Sequence, residues 1–216
     1  MKSISSQLRK LNSVFPWVRK GAQKNLIEIG LPAVKEIIGA LDTRYAPIAT
    51  EGFDSSTDSF SELNGALRRY PLLLDALAKI GRPAMEELQR ALGHPNLNVR
   101  VAAIEAIGRI ADPSSVDLLL PFLDSSKSEE RQWAIYALGN TRSPTAFNRI
   151  VAALDDENVY VREAALLGLG DFGNTSVLPR LEQIAESDKT LVENYGRTLG
   201  HVAKEAIEKI HKKDNR

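Results

Sequence analysis

No cysteine occurs in the 216 residues, so disulfides, thiolate nucleophiles and thiolate metal sites are excluded. Uncompensated charge is missing too. The 28 basic and 28 acidic residues cancel, which argues against a protein that coats nucleic acid through a broad positive field. Long hydrophobic runs are also lacking. Residues 1–20 hold no continuous apolar stretch of the secretory type, and no segment approaches the roughly 18 apolar residues of a membrane span. The three histidines are scattered, and His201 and His211 lie ten apart, not at the i, i+4 spacing that brings two ligands onto one helical face. No serine is flanked as in G-x-S-x-G, and no lysine follows a phosphate-cradling glycine loop. These absences predict a soluble cytoplasmic protein that is not an enzyme, with no cofactor, no metal and no membrane span.

What the chain does have is a 43% apolar composition, sufficient for a substantial core. Its charge is unevenly spread. Lys2, Arg9, Lys10, Arg19, Lys20 and Lys24 all precede the first acid, Glu28, whereas residues 42–62 hold five acids against Arg44 alone.

Self-comparison reveals a repeat. Val99-Arg100 followed by Ala103, Ala106, Ile107 and Gly108 recurs as Glu130-Arg131, Ala134, Ala137, Leu138, Gly139, and again as Val161-Arg162, Ala165, Gly168, Leu169, Gly170. Successive glycines are 31 residues apart, and Leu199-Gly200 follows after 30. A fixed period of this size marks an array of supersecondary units. Ala103, Ala106, Ile107 and Ile110 follow helical i, i+3, i+4, i+7 spacing. Asp112-Pro113-Ser114-Ser115, Ser143-Pro144-Thr145 and Gly173-Asn174-Thr175-Ser176 each combine turn residues with an N-cap. Second helices are then expected over 116–123, 147–154 and 178–185.

Nearer the N-terminus, residues 29–37 and 80–88 are near-copies 51 residues apart, each closed by Ala-Leu. The excess over one repeat falls in residues 42–61, rich in Ser, Thr, Asp and Gly, which predicts an inserted loop. The fold expected is all-α: a right-handed superhelix of about six two-helix repeats beginning near Trp17, Glu62, Asn98, Glu130, Asn158 and Asp188. Residues 1–16 form a separate segment and 17–216 the solenoid. Ile4, Leu8, Leu11 and Phe15 predict an amphipathic helix up to Pro16. Such a helix serves either as an end cap over the first repeat or as a membrane-surface helix.

Val-Arg with Ala three residues on, an apolar-Gly pair near the helix end, then Asp-Pro or Ser-Pro and a second apolar helix resemble the HEAT-like repeats named after phycobilisome lyases. The resemblance covers residues 72–211, and 25–41 in part. It implies a protein-binding scaffold, and, as the alternative, a subunit of an enzyme that attaches bilins to phycobiliproteins, detaches or isomerises them. On that alternative a bilin is the ligand, and Gln132-Trp133-Ala134-Ile135-Tyr136-Ala137-Leu138-Gly139 is similar to the aromatic-rich helices of bilin lyase subunits. A further branch of similar architecture comprises DNA glycosylases for alkylated bases; zero net charge counts against it and against nucleic acid as partner.

Two patterns need the repeat register to interpret. Gly168-Leu169-Gly170-Asp171-Phe172-Gly173 matches G-x-G-x-x-G, yet it ends a helix and only Gly170 belongs to the repeat template, so dinucleotide binding is not expected. The recurrent arginines and the acid pairs Glu129-Glu130 and Asp155-Asp156 are expected to be structural, because catalytic residues break a template instead of repeating it.

Binding residues are sought where equivalent positions on the second helices depart from polar. Leu118, Leu120 and Val151 would form an apolar patch rimmed by Arg90, Arg149 and Arg180 on the concave side, a composition suited to protein recognition. Packing between repeats accounts for the same residues equally. Trp133 and Tyr136, three apart on a first helix, can share a face. They serve either packing or contact with a partner or planar ligand.

Overall fold

The computed structural model describes residues 3–42, 59–192 and 196–214, with backbone alone at 42 and 59–69. Of the expected insertion at 42–61, residues 43–58 lie outside the described residues. The chain forms two compact units, Met1–Ile110 and Ala111–Arg216, and their boundary falls inside the third sequence repeat.

The first unit contains α1 (Ile4–Lys10), α2 (Pro16–Ile29), α3 (Leu31–Asp42), α4 (Ser59–Ile80), α5 (Met85–Ala91) and α6 (Leu97–Ile110). The expected N-terminal helix stops at Lys10, six residues before Pro16. Of its apolar stripe, Leu11 is fully buried, Ile4 and Leu8 are half-buried, and Phe15 is exposed. α1 packs against α2 and α3, and its buried Gln7 accepts a hydrogen bond from Asn25 Nδ2 at 2.9 Å. The near-copies at 29–37 and 80–88 fold alike. The amide of Gly30 donates to Leu26 and that of Gly81 to Leu77, at 3.1 and 3.0 Å. Both glycines take positive φ, +68° and +74°, and three residues on Ala33 and Ala84 are fully buried. Apolar side chains Leu26, Ile37, Leu77, Leu88, Ile104 and Ile107 fill this unit's core.

The second unit contains α7 (Val116–Leu119), α8 (Ser128–Thr141), α9 (Pro144–Ala152), α10 (Val159–Phe172), α11 (Leu178–Ser187) and α12 (Leu199–Asp214). Between α11 and α12 a short antiparallel ribbon pairs β1 (Leu191–Val192) with β2 (Arg197–Thr198). Its caps follow the turn chemistry of the sequence. Asp112 accepts from the Ser114 amide at 3.0 Å, Asn158 from Tyr160 at 2.9 Å and Asn174 from Ser176 at 2.9 Å. Ser143 departs from this pattern: its hydroxyl pairs with Thr145 Oγ1 at 2.7 Å and caps no amide. The second helix expected over 116–123 is α-helical only to Leu119, after which Leu120–Asp124 tightens into a 3-10 turn. Pro121 accounts for this, since it removes the amide that would continue the α ladder.

Close helix approach explains the template glycines of α8 and α10. A β-carbon at Gly139 would lie 3.1 Å from the Gly168 Cα, and one at Gly170 would lie 2.9 Å from the Ala206 Cα. Gly139 and Gly170 therefore let α10 press against α8 on one side and α12 on the other. Gly173 ends α10 at φ +78°. The pattern that matches a dinucleotide loop is thus a packing device followed by a helix cap. Gly200 departs from the register. It is the second residue of α12, its amide donates to the Asp188 carbonyl at 3.1 Å, and a β-carbon there would lie 2.8 Å from that oxygen.

Candidate functional site

Arg19, Arg100, Arg131 and Arg162 hold one register position, and each sends Nη1 back to a carbonyl of the turn before its helix. The acceptors are Ser13, His94, Ser125 and Asp156 at 2.7, 2.8, 2.9 and 2.8 Å. Each guanidinium thereby neutralises turn carbonyls and fixes the angle at which the chain enters the helix. Arg131 does more. It forks onto Asp156 of the following repeat with two bonds of 2.8 Å. The hydrogen bond it donates to Asp156 raises the Arg131 pKa above its ordinary value. Burial works to raise the Asp156 pKa, but the Arg131 hydrogen bond, the Asn158 amide and the charges of Arg131 and Arg162 outweigh it and leave the carboxyl below the ordinary aspartate value. Arg162 makes no such fork: its bonds go to the backbone oxygens of Asp156 and Glu157.

Seven of the eight expected binding residues lie in the second unit and Arg90 in the first. Arg90, on α5, is exposed and bonded to Glu86 and Glu87 of its own helix, and the Glu87 hydrogen bond raises its pKa. Leu118, Leu120 and Val151 are half-buried. Arg149 reaches back to both oxygens of Asp124 at 2.7 Å, and Arg180 reaches Asp155 at 2.5 Å. Both pairs span 25 residues and are themselves 31 apart, so they form a ladder in step with the repeat. The expected arginine rim is therefore bipolar: each cation carries a carboxylate, glutamates at Arg90 and an aspartate at Arg149 and at Arg180. Arg149 also lines a cleft of about 180 Å³ together with Arg131, Asp124, Asp155 and Asp156. Trp133 and Tyr136 do share a face of α8. Both are half-buried, with ring centroids 5.6 Å apart and planes tilted by 55°.

Two features escaped the sequence reasoning. One is a charge cluster in the second unit, in which Arg197 bonds Glu163 at 2.8 Å and Glu205 at 2.9 Å. Glu163 is 1% exposed, and its hydrogen bond raises the Arg197 pKa. No repeat register signals it, because Arg197 lies in the ribbon. The other is the exposed set Val14, Phe15 and Trp17 at the turn from α1 into the start of α2. A signal for it was present in the register, which puts Asn96 and Asn158 where Phe15 stands. Among the described residues, no group of three His, Asp or Glu is placed to hold a metal ion, and no helix is long and apolar enough to cross a membrane.

Fold and register together define an all-α protein of tandem two-helix repeats. The family model for HEAT repeats matches residues 71–139 and 116–194, more than half of the chain, and the protein belongs to that family. No curated protein matches the sequence. Among solved structures, the chain is similar to the complex of CpcE and CpcF of phycocyanin lyase from Nostoc sp. PCC7120. That match has 18% identity and a TM-score of 0.61, covering 82% of this chain and 99% of the other. It is also similar to an engineered protein, with 21% identity and a TM-score of 0.50 over 98% of both chains. At these identities the likeness extends to the fold.

Proposed function

We propose that this HEAT-repeat protein acts by binding another protein, in the cytoplasm, and not by catalysis. The partner docks on the second-helix surface of the second unit at Leu118, Leu120 and Val151, with Arg149 and Arg180 as polar contacts; Arg90 offers a separate contact on the first unit. The observation that carries this reading is partial burial. Three aliphatic side chains stay half-buried, while the template offers arginine at the register position of Leu118, namely Arg149 and Arg180. The ion-pair ladder beside them presents both signs of charge at a fixed spacing, which favours register-specific recognition over raw affinity. A neighbour in fold, the CpcE and CpcF lyase, is a complex of two proteins, which supports a protein partner. Residues 1–16 serve as the end segment of a solenoid that occupies 17–216. The test is capture of partner by immobilised protein: the double variant Leu118→Asp, Arg149→Glu should lose it, and undiminished capture would remove the surface from consideration.

A second reading, a subunit of a bilin lyase or isomerase, is favoured by one feature. The tilted Trp133 and Tyr136 rings on α8 offer a planar apolar contact. Titrating a bilin into the protein should then shift its visible absorbance, and an unchanged spectrum at high protein concentration rules this reading out.

A further inference from the structure

Val14, Phe15 and Trp17 are 65%, 51% and 69% exposed. Phe15 and Trp17 stack on one another at a centroid distance of 4.8 Å. The turn that carries them is not loose. Arg19 Nη1 donates to the Ser13 and Val14 carbonyls at 2.7 and 3.0 Å, and the Phe15 amide donates to Ser13 Oγ at 3.2 Å. Phe15 is the N-cap of α2 and makes no side-chain cap bond. At the same register position Asn158 caps α10 and Asn96 accepts from the Asn98 amide at 2.9 Å, whereas Lys127 of α8 makes no side-chain cap bond. At the Trp17 position the other repeats carry Asn98, Glu129 and Tyr160. This repeat has thus given up a capping residue and displays two aromatic rings on a rigid turn.

The charged residues of α1, of the turn and of α2 up to Lys24 are all basic. Arg9, Lys10 and Lys20 are exposed, Lys24 reaches Glu28 only at 3.9 Å, and no acid precedes Glu28 in the sequence. Leu31, also exposed, opens α3 beyond the far end of α2, roughly 20 Å away along that 14-residue helix, and is not part of the set.

We propose that the Val14–Trp17 turn, with Lys10 and Lys20 beside it, is a docking point for an anionic membrane surface. Protruding aromatic rings with lysines at their base match the two requirements of an interfacial anchor. The rings enter the headgroup–acyl boundary, and the ammonium groups remain at the lipid phosphates. A pocket on a partner protein would have to be shaped to three protruding side chains, whereas a fluid interface needs no such match. The stacked rings are fixed in place beforehand, so little freedom is lost on insertion.

The test uses the full chain with Trp133→Phe, leaving Trp17 as its sole tryptophan, and vesicles of phosphatidylcholine with or without about 30% phosphatidylserine. Expected are a blue shift of Trp17 emission and co-sedimentation with the anionic vesicles only, lost on raising the salt concentration to about 0.5 M. Phe15→Asn and the pair Lys10→Glu, Lys20→Glu, each in the otherwise native chain, should each weaken co-sedimentation about tenfold. Phe15→Asn introduces the capping residue found before α6 and α10, so its thermal midpoint should hold or rise, and its loss of binding cannot come from unfolding. An unshifted Trp17 spectrum with anionic vesicles, equal binding to neutral ones, or undiminished binding by Phe15→Asn would overturn the proposal. Each of those outcomes would leave the turn to a protein partner.

Discussion

A methyl group added at Gly170 would lie 2.9 Å from the Ala206 Cα, whereas one added at Gly21, within α2, would meet nothing within 4 Å. Gly170→Ala should therefore force α10 and α12 apart and cost roughly 1–3 kcal/mol. Gly21→Ala should stabilise by roughly 0.5–1 kcal/mol by removing backbone freedom from the unfolded chain. Denaturant titration of the two variants reads the opposite signs directly. Backbone strain gives a third case. Arg142 holds φ +52° as the C-cap of α8, where the following repeat has Gly173 at +78°. Arg142→Gly should relieve this left-handed strain and raise the unfolding free energy by about 1 kcal/mol; a lowered midpoint would show that the Arg142 side chain contributes more than its conformation costs. The sequence identified Gly170 as part of the template. It could not show what Gly139 packs against, because the backbone that crowds a β-carbon there is that of Gly168, one repeat away and visible only once α8 and α10 are packed.

Elements in this chain end where local chemistry says they should, and much of that was legible. Proline and Asp, Asn or Ser at each turn located the starts of the second helices, and Pro121 accounts for the early stop of α7. The N-terminal helix stops at Lys10, short of Pro16, because the apolar spacing of Ile4, Leu8, Leu11 and Phe15 is not one helical stripe: Leu11 is buried at the turn and Phe15 lies exposed across it. Also illegible were the links between elements. Arg131 to Asp156, Arg149 to Asp124 and Arg180 to Asp155 each span 25 residues, and charge spacing alone does not choose between those aspartates and neighbouring acids. The Arg131–Asp156 fork predicts a pH response. The Asp156 carboxyl is held below its ordinary value, so its contribution is complete above the unfolded value of about 4 and is lost as the pH falls through the lower folded value. Asp156→Asn should lower stability at neutral pH and flatten the acid limb of the stability profile; a parallel downward shift at all pH values would deny the coupling. The exposed pairs of Arg149 and Arg180 should each contribute no more than about 1 kcal/mol, diminished by salt.

In a repeat array each element is stabilised by its immediate neighbours, so protection follows local packing and not distance from the ends. Within the second unit α10 lies between α8 and α12, with residues Ala164 to Leu166 and Gly168 to Gly170 all buried. α7 has a single α turn before Pro121 interrupts it. Hydrogen exchange should accordingly be slowest along the middle of α10 and several orders of magnitude faster in α7, even though the two belong to one compact unit. Gly170→Ala sharpens the expectation. Displacing α12 from α10 should speed exchange in both helices while leaving α2 and α3 at their native rates, because they belong to the first unit and α10 to the second. If exchange in α2 and α3 rises together with that of α10, the two units open as one, and stability is set by the whole chain and not by neighbouring repeats.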